Sequence, residues 1–388
     1  MKMKKVLSMA LVVAMAVSTM VGCGSNESQG SSDTIRIGSS GPITGANAVY
    51  GEAVKNGAEL AIEEINAAGG INGYQVEYNY QDDEADAEKA VNAYNTLKDW
   101  GMQAFLGTTT SGACIAVEGE AVNDNMFLLT PSGTAIECIS GDNAFRVCFS
   151  DPMQGVKSAE YIGQNNLAKK VAVIYNSSDT YSDGVYKSFK EEAENQNFEI
   201  VATEAFTDDT KTDFSVPLQK AKDAGADLVF LPFYYQEASL VLKQAADINY
   251  APVFFGCDGM DGILAVEGFD VDLANNLMFL SPFTPTSTED KVVKFVTAFE
   301  EKYGHTPNQF AADAYDGIYA IKAAMEHGNV TPEMDASEVC DILKAAMTEI
   351  SVKDVVTAKS DLKWDASGEP NKEAMVVKIE NGDYAVAE

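Results

Sequence analysis

The chain has 388 residues, with 59 Asp and Glu against 27 Lys and Arg and a formal net charge of −32. So negative a surface repels other polyanions, which excludes nucleic acid and anionic lipid faces as partners. The two histidines and six cysteines follow no Cys-x-x-Cys or Cys/His zinc spacing, and the sequence carries no nucleophile elbow, phosphate-binding loop or His-Glu-x-x-His, so it reads as a binder without metal or cofactor rather than as an enzyme.

Lys2, Lys4 and Lys5 precede the mostly apolar run 6–17, a length that suits a secretory signal better than a membrane span. Met20-Val21-Gly22-Cys23 then resembles a bacterial lipobox, with residues 1–22 removed as a signal peptide and Cys23 lipidated. An ordinary signal peptide with a chance cysteine is the other reading. Residues 23–33, rich in Gly, Ser, Asn and Gln without apolar periodicity, form a tether. A lipid on Cys23 would hold the remainder at the outer face of the bacterial cell membrane, its only contact with the bilayer.

From residue 35 the pattern turns regular. Ile35 and Ile37 alternate with polar residues and run into the Gly/Ser/Pro-rich loop 39–45, as a strand does when it delivers its C-terminal end to a helix. From Tyr50 the period changes: Val54, Ala58, Ala61, Ile62 and Ile65 make one apolar stripe, and Glu52, Lys55, Glu59, Glu63 and Glu64 are left for the wet side. Gly69-Gly70 stops this helix, since glycine takes the left-handed cap conformation, and a strand follows at 75–80. In such a βαβ unit, loops and helix N-termini surround a crevice at the strands' C-terminal ends. An acidic helix from about 85 to 99, a strand at 104–106, the loop GTTTSG, a helix over 113–122, a strand at 126–129, the loop TPSGT and a strand at 145–148 complete a first α/β lobe. Asp151-Pro152 closes it with a turn signal.

A second series begins at once, with helices at 155–164, 182–194, 215–224 and 237–248 and strands at 171–175, 199–205, 227–231 and 253–255. VAVIY and LVFL are continuous apolar runs, as expected of parallel strands buried on both faces. After a strand at 277–280 the turn-rich SPFTPTST leads to helices at 289–303, 308–327 and 337–348. A strand at 374–379, a tight turn at Asn381-Gly382-Asp383 and a short strand at 384–386 end the chain as a hairpin.

The runs IGSSGPITG, Tyr50-Gly51 and GAELAIEEINAAGGINGYQVEY, together with LLTPSGT at 128–134, resemble the branched-chain amino acid-binding proteins, the type I periplasmic-binding-protein-like receptors that feed ABC transporters. The resemblance covers nearly the whole chain beyond the tether. It implies an α/β fold of two doubly wound parallel-sheet lobes joined by a multi-strand hinge, 34–150 with 281–355 in the first and 151–280 with 356–388 in the second. It also implies an amino acid ligand, branched-chain or aliphatic, bound in the cleft, and ABC permease subunits as partners. A monomer is the default.

Three first-lobe loops, SSGPITG, GTTTSG and TPSGT, offer hydroxyls and backbone N–H groups at helix N-termini, where a carboxylate is held without Arg or Lys. Any one of them alone is equally a turn or an N-cap. In the family's motif Ser111, Ser132 and Thr134 fall where the α-carboxylate and part of the α-amino group are held. Tyr181, Tyr234 and Asp258 match positions where the family uses an aromatic, an aromatic and an acid; Asp258 stands where the branched-chain receptors commonly have Glu, so the ligand sits deeper or a water bridges the gap. Asp258 also reads as a helix N-cap, the tyrosines as edge aromatics, and Tyr50 and Phe310 as either apolar wall or core. Small amides, urea and aromatic acids, all used by relatives, are alternative ligands, and a sensory module of the same fold is an alternative role. A Cys138–Cys148 disulfide is left open.

Overall fold

The computed structural model describes residues 33–275 and 277–387; the expected signal peptide, Cys23 and residues 24–32 of the expected tether lie outside them. Ile35 and Ile37 are fully buried on β1 (Thr34–Gly41), which pairs in parallel with β2 (Gln75–Asp82) on one side and β3 (Ala104–Leu106) on the other. With β4 (Leu128–Thr130) and β5 (Ala144–Arg146) the order is β2-β1-β3-β4-β5. The winding reverses between β1 and β3, so the loops after β1, β3 and β4 open on one crevice.

Helix α1 (Ala48–Ala67) buries the stripe that its spacing dictates, including Val54, Ala58, Ala61, Ile62 and Ile65. It stops ahead of Gly69 and Gly70, whose φ of 109° and 81° suit glycine. Helix α2 (Ala87–Trp100) starts two residues later than the sequence suggests, because Glu84 and Ala85 take left-handed φ near 50–60° and the Asp86 carboxylate accepts from Lys89 N at 2.9 Å as the cap. Helix α3 (Ser111–Asp124) has Ser111 as its first residue.

The second sheet runs β12-β11-β10-β9-β8-β6-β7. Its members β6 (Lys170–Asn176), β7 (Glu199–Phe206), β8 (Leu228–Leu231), β9 (Val253–Gly256) and β10 (Met278–Ser281) are parallel neighbours, and β11 (Met375–Glu380) with β12 (Asp383–Val386) adds an antiparallel hairpin at one edge. The intervening helices are α4 (Asp151–Gln164), α5 (Thr180–Ala193), α6 (Ser215–Asp223) and α7 (Tyr235–Asp247). Asp151-Pro152 is therefore not a closing turn but the first turn of α4, where proline's missing N–H would have had no helical partner.

Between β10 and β11 lie α8 (Asp290–Tyr303), α9 (Gln309–His327) and α10 (Ala336–Met347), and α9 runs along α1. A Cβ on Gly57 would sit 2.0 Å from the Ala311 carbonyl oxygen, so glycine lets the two backbones touch and sets Phe310 beside Tyr50, their ring centroids 4.3 Å apart. The chain thus passes between the two layers three times, from β5 to α4, from β10 to α8 and from α10 to β11. Helix α9 anchors the third passage: Asp316 accepts from Val356 N and Thr357 N, both at 2.9 Å, and Asp313 pairs with Lys372 where both are almost wholly buried.

Candidate functional site

The loop after β3 runs directly into α3 and the loop after β4 lies against it, so Ser111 and Thr134 meet. Ser111 Oγ accepts from the backbone N–H of Thr134 and of Ala135, each at 3.2 Å, and Ser132 Oγ donates to the Thr109 carbonyl at 2.7 Å. The hydroxyls Thr109 Oγ1 and Thr110 Oγ1, beside Ser111, are buried without a hydrogen-bond partner. The loop TPSGT is held from behind by Arg146, a residue the sequence reading did not single out. Its guanidinium is fully buried and donates to the carbonyls of Gly133 at 3.2 Å, Thr134 at 2.5 Å and Ala135 at 3.0 Å, with Glu369 as its ion-pair partner at 3.4 Å. Fixing three successive carbonyls in this way turns the opposite edge of the loop toward the cleft.

From the second sheet, α5 supplies Tyr181, Tyr234 caps α7, and Asp258 follows β9. Tyr181 and Tyr234 stack with centroids 5.2 Å apart and planes 8° from parallel. Tyr181 Oη accepts from Gly259 N at 3.1 Å, which locks the tyrosine to the loop that carries Asp258. The Asp258 carboxylate does not cap the short turn Asp258–Met260, so the N-cap reading falls away. Asp258 is only 5% exposed, and among the described residues no cation lies within ion-pair distance of it. Burial pushes its carboxyl up to about 7, against the polar side chains of Tyr181 and Gln154.

Tyr50 bridges the two lobes. Its hydroxyl donates to the Gly259 carbonyl at 2.5 Å and accepts from Tyr235 N at 3.2 Å, while Tyr235 donates to the Ala46 carbonyl at 2.8 Å. Gln309, at the start of α9, adds a second bridge: its Nε2 donates to the Asp258 carbonyl at 3.0 Å and its backbone N–H to Asp261 at 2.9 Å. All eight residues expected at the site line one small cavity between the lobes: Tyr50, Ser111, Ser132, Thr134, Tyr181, Tyr234, Asp258 and Phe310, joined by Thr109, Thr110 and Gly259. The cavity measures about 10 Å³, on the order of one water. Anything larger than a water fits there only if the lobes part. Cys23 lies outside the described residues.

Asp151 also belongs here. It is buried, its Oδ1 has no hydrogen-bond partner, and burial, with the nearby charge of Asp258, pushes its carboxyl well up against the pull of the Thr134 hydroxyl. No local pattern marks it: the segment before it, 145–149, is broken by Arg146, and an acid in the first turn of a helix is common. The Cys138–Cys148 bond that the sequence leaves open is not made: Cys148 Sγ donates to the Gly133 carbonyl at 3.5 Å and Cys138 Sγ to the Ser111 carbonyl at 3.8 Å.

The family model described as periplasmic binding protein matches residues 34–383. Among solved structures, the chain is similar to the branched-chain amino acid transporter substrate binding protein LivJ from Streptococcus pneumoniae, determined with isoleucine, at 31% identity and a TM-score of 0.83 over 92% of this chain and 99% of that one. It is 28% identical to the leucine-, isoleucine-, valine-, threonine-, and alanine-binding protein of Pseudomonas aeruginosa, over 92% of this chain and 90% of that protein. It is 29% identical to Leu/Ile/Val-binding protein homolog 3 of Brucella melitensis, over 78% of this chain and 81% of that protein.

Proposed function

Because the chain belongs to the periplasmic binding protein family, we propose that it is the solute-binding component of an ABC importer, working outside the cytoplasm. Its ligand is an aliphatic α-amino acid, with leucine, isoleucine and valine first, held between the lobes and released to permease subunits. The observation that carries this reading is the facing of hydroxyl-lined loops, at Ser111, Ser132 and Thr134, by a buried carboxylate without an ion-pair partner, Asp258, inside one interlobe cavity. An α-carboxylate exchanges with the bonds that the loops now make among themselves, and the α-ammonium neutralises Asp258. Tyr50, Phe310, Tyr181 and Tyr234 wrap the side chain. In this reading residues 34–150 with 281–355 form the first lobe and 151–280 with 356–388 the second, a single copy suffices, and Cys23 carries the lipid anchor.

The reading also gives a mechanism of closure. A ligand favours the closed form only by binding it more tightly than the open one. Contacts that exist only when the lobes meet, those of Tyr181, Tyr234 and Asp258, therefore set how far the equilibrium moves, and the first-lobe loops set initial capture. The resemblance puts Glu, one methylene longer, where this chain has Asp258; here a deeper ligand or a bridging water covers the missing methylene.

Titration calorimetry with leucine, isoleucine and valine on the wild type and on Asp258→Ala tests the assignment. Removing one partner of a buried, hydrogen-bonded charge pair costs about 2–5 kcal/mol, so the variant should lose roughly thirty-fold or more in affinity. Equal affinity for the wild type and the variant would remove Asp258 from the site. Failure of every aliphatic amino acid to bind the wild type would remove the ligand class.

A further inference from the structure

A second cavity of about 210 Å³ adjoins the amino acid site and shares Thr110 and Tyr234 with it. Its second-lobe wall presents the carboxylates of Asp179, Asp208 and Glu237 against a single ammonium, Lys211. Lys211 is divided between Asp208 at 3.8 Å and Glu237 Oε1 at 3.6 Å, both long for ion pairs. Glu237 is only 8% exposed, and its Oε2 is buried with no hydrogen-bond partner. Thr110 is 6% exposed, and its hydroxyl is likewise unpartnered where the two cavities meet. Buried acceptors without donors are costly and rare in a folded protein. Two of them on the walls of one cavity, each nine-tenths buried, point to a donor arriving from outside the chain.

We infer that the cleft continues past Thr110 and Tyr234 into an acceptor-rich subsite that takes the N–H-bearing end, ammonium or amide, of an α-amino acid side chain longer than that of leucine. This rests on the amino acid reading above and extends its ligand class. An aliphatic side chain would leave the Glu237 carboxylate and the Thr110 hydroxyl as they are, whereas an ammonium or amide brings N–H donors to this wall, and an ammonium also relieves the crowding of Asp179, Asp208 and Glu237. Burial already pushes the Asp179 carboxyl up to about 6 and that of Glu237 up from its ordinary value, the direction that a cationic neighbour reverses. Phe206 and Phe233 supply apolar surface in the same cavity for the methylenes that lead to the polar end.

The test compares lysine with norleucine, which has the same chain without the terminal ammonium, by calorimetry on the full-length protein, its Glu237→Gln variant and its Thr110→Val variant. Glutamine runs alongside to separate ammonium from amide. Both substitutions nearly preserve shape; thermal unfolding checks each fold, and either one suffices to decide. Expected is a ratio of lysine or glutamine affinity to norleucine affinity that falls at least ten-fold in a variant, while norleucine itself stays within two-fold in Glu237→Gln, a residue that does not line the first cavity. Norleucine binding with an unchanged ratio in both variants, or with neither polar amino acid binding the wild type, overturns the subsite and leaves the amino acid reading intact. If no α-amino acid binds at all, both fall together.

Discussion

At the scale of single residues, burial outweighs local hydrogen bonding for several carboxyls, in the cleft and away from it. Asp258 is pushed up to about 7, and Asp83, Asp179, Asp261 and Asp313 up to about 6, each chiefly by burial. In the unfolded chain these carboxyls titrate near 4, so between those values the folded protein binds more protons and its stability falls as pH rises. The free protein should therefore melt at a lower temperature at pH 7.5 than at pH 5.5. Acids held low by hydrogen bonds, such as Asp82 and Asp365, lose their contribution only below their ordinary value, outside this window. Ligand affinity should run the other way, because an α-ammonium needs Asp258 ionised: binding should tighten by roughly twenty-fold from pH 5.5 to 7.5 for one coupled proton. Calorimetry across that range checks it, and a flat profile would mean that Asp258 does not meet the ammonium. The serines, tyrosines and acid lining the cavity were legible because their loops carry the resemblance residue by residue. Arg146 and Asp151 were not, since their roles come from packing behind the loops, which no local pattern records.

At the scale of elements, α9 does more than fill a layer. It carries Gln309 and Phe310 to the cleft and ties down the third passage between lobes through Asp313 and Asp316. Lys372→Met would leave Asp313 buried without its cation, at a cost of about 3–5 kcal/mol. Denaturant unfolding at pH 7.5 should show that loss, and adding Asp313→Leu should restore most of it. A double variant no more stable than the single would show that the pair is not what holds the passage. Helix α1 could be read from its spacing because a 20-residue stripe gives the period many chances to repeat. Boundaries were less legible where a side chain decides them, as at Asp86, whose cap delays α2, and at Asp151-Pro152, which begins a helix where a turn was expected.

At the scale of the molecule, the lobes meet through a few identifiable bonds. Tyr50→Phe removes the hydroxyl that joins Gly259 and Tyr235, at about 0.5–1.5 kcal/mol per bond. Without ligand, X-ray scattering should report a larger mean radius of gyration for this variant than for the wild type, and saturating leucine should bring the two together. Identical scattering without ligand would assign closure to the Gln309 bridges instead. The two-sheet architecture was readable from alternation and turn signals alone; the return of α8, α9 and α10 to the first sheet was expected only through the family resemblance, because nothing in a helix's own period names its partner. Finally, Cys114, Cys138, Cys148, Cys257 and Cys340 are all unoxidised and buried, distributed beneath both sheets. Their sulfurs are thus a built-in clock: an alkylating reagent can mark each one only during the moments when its part of the structure breathes, and the order in which they are marked would chart those openings across the protein without any label having to be introduced.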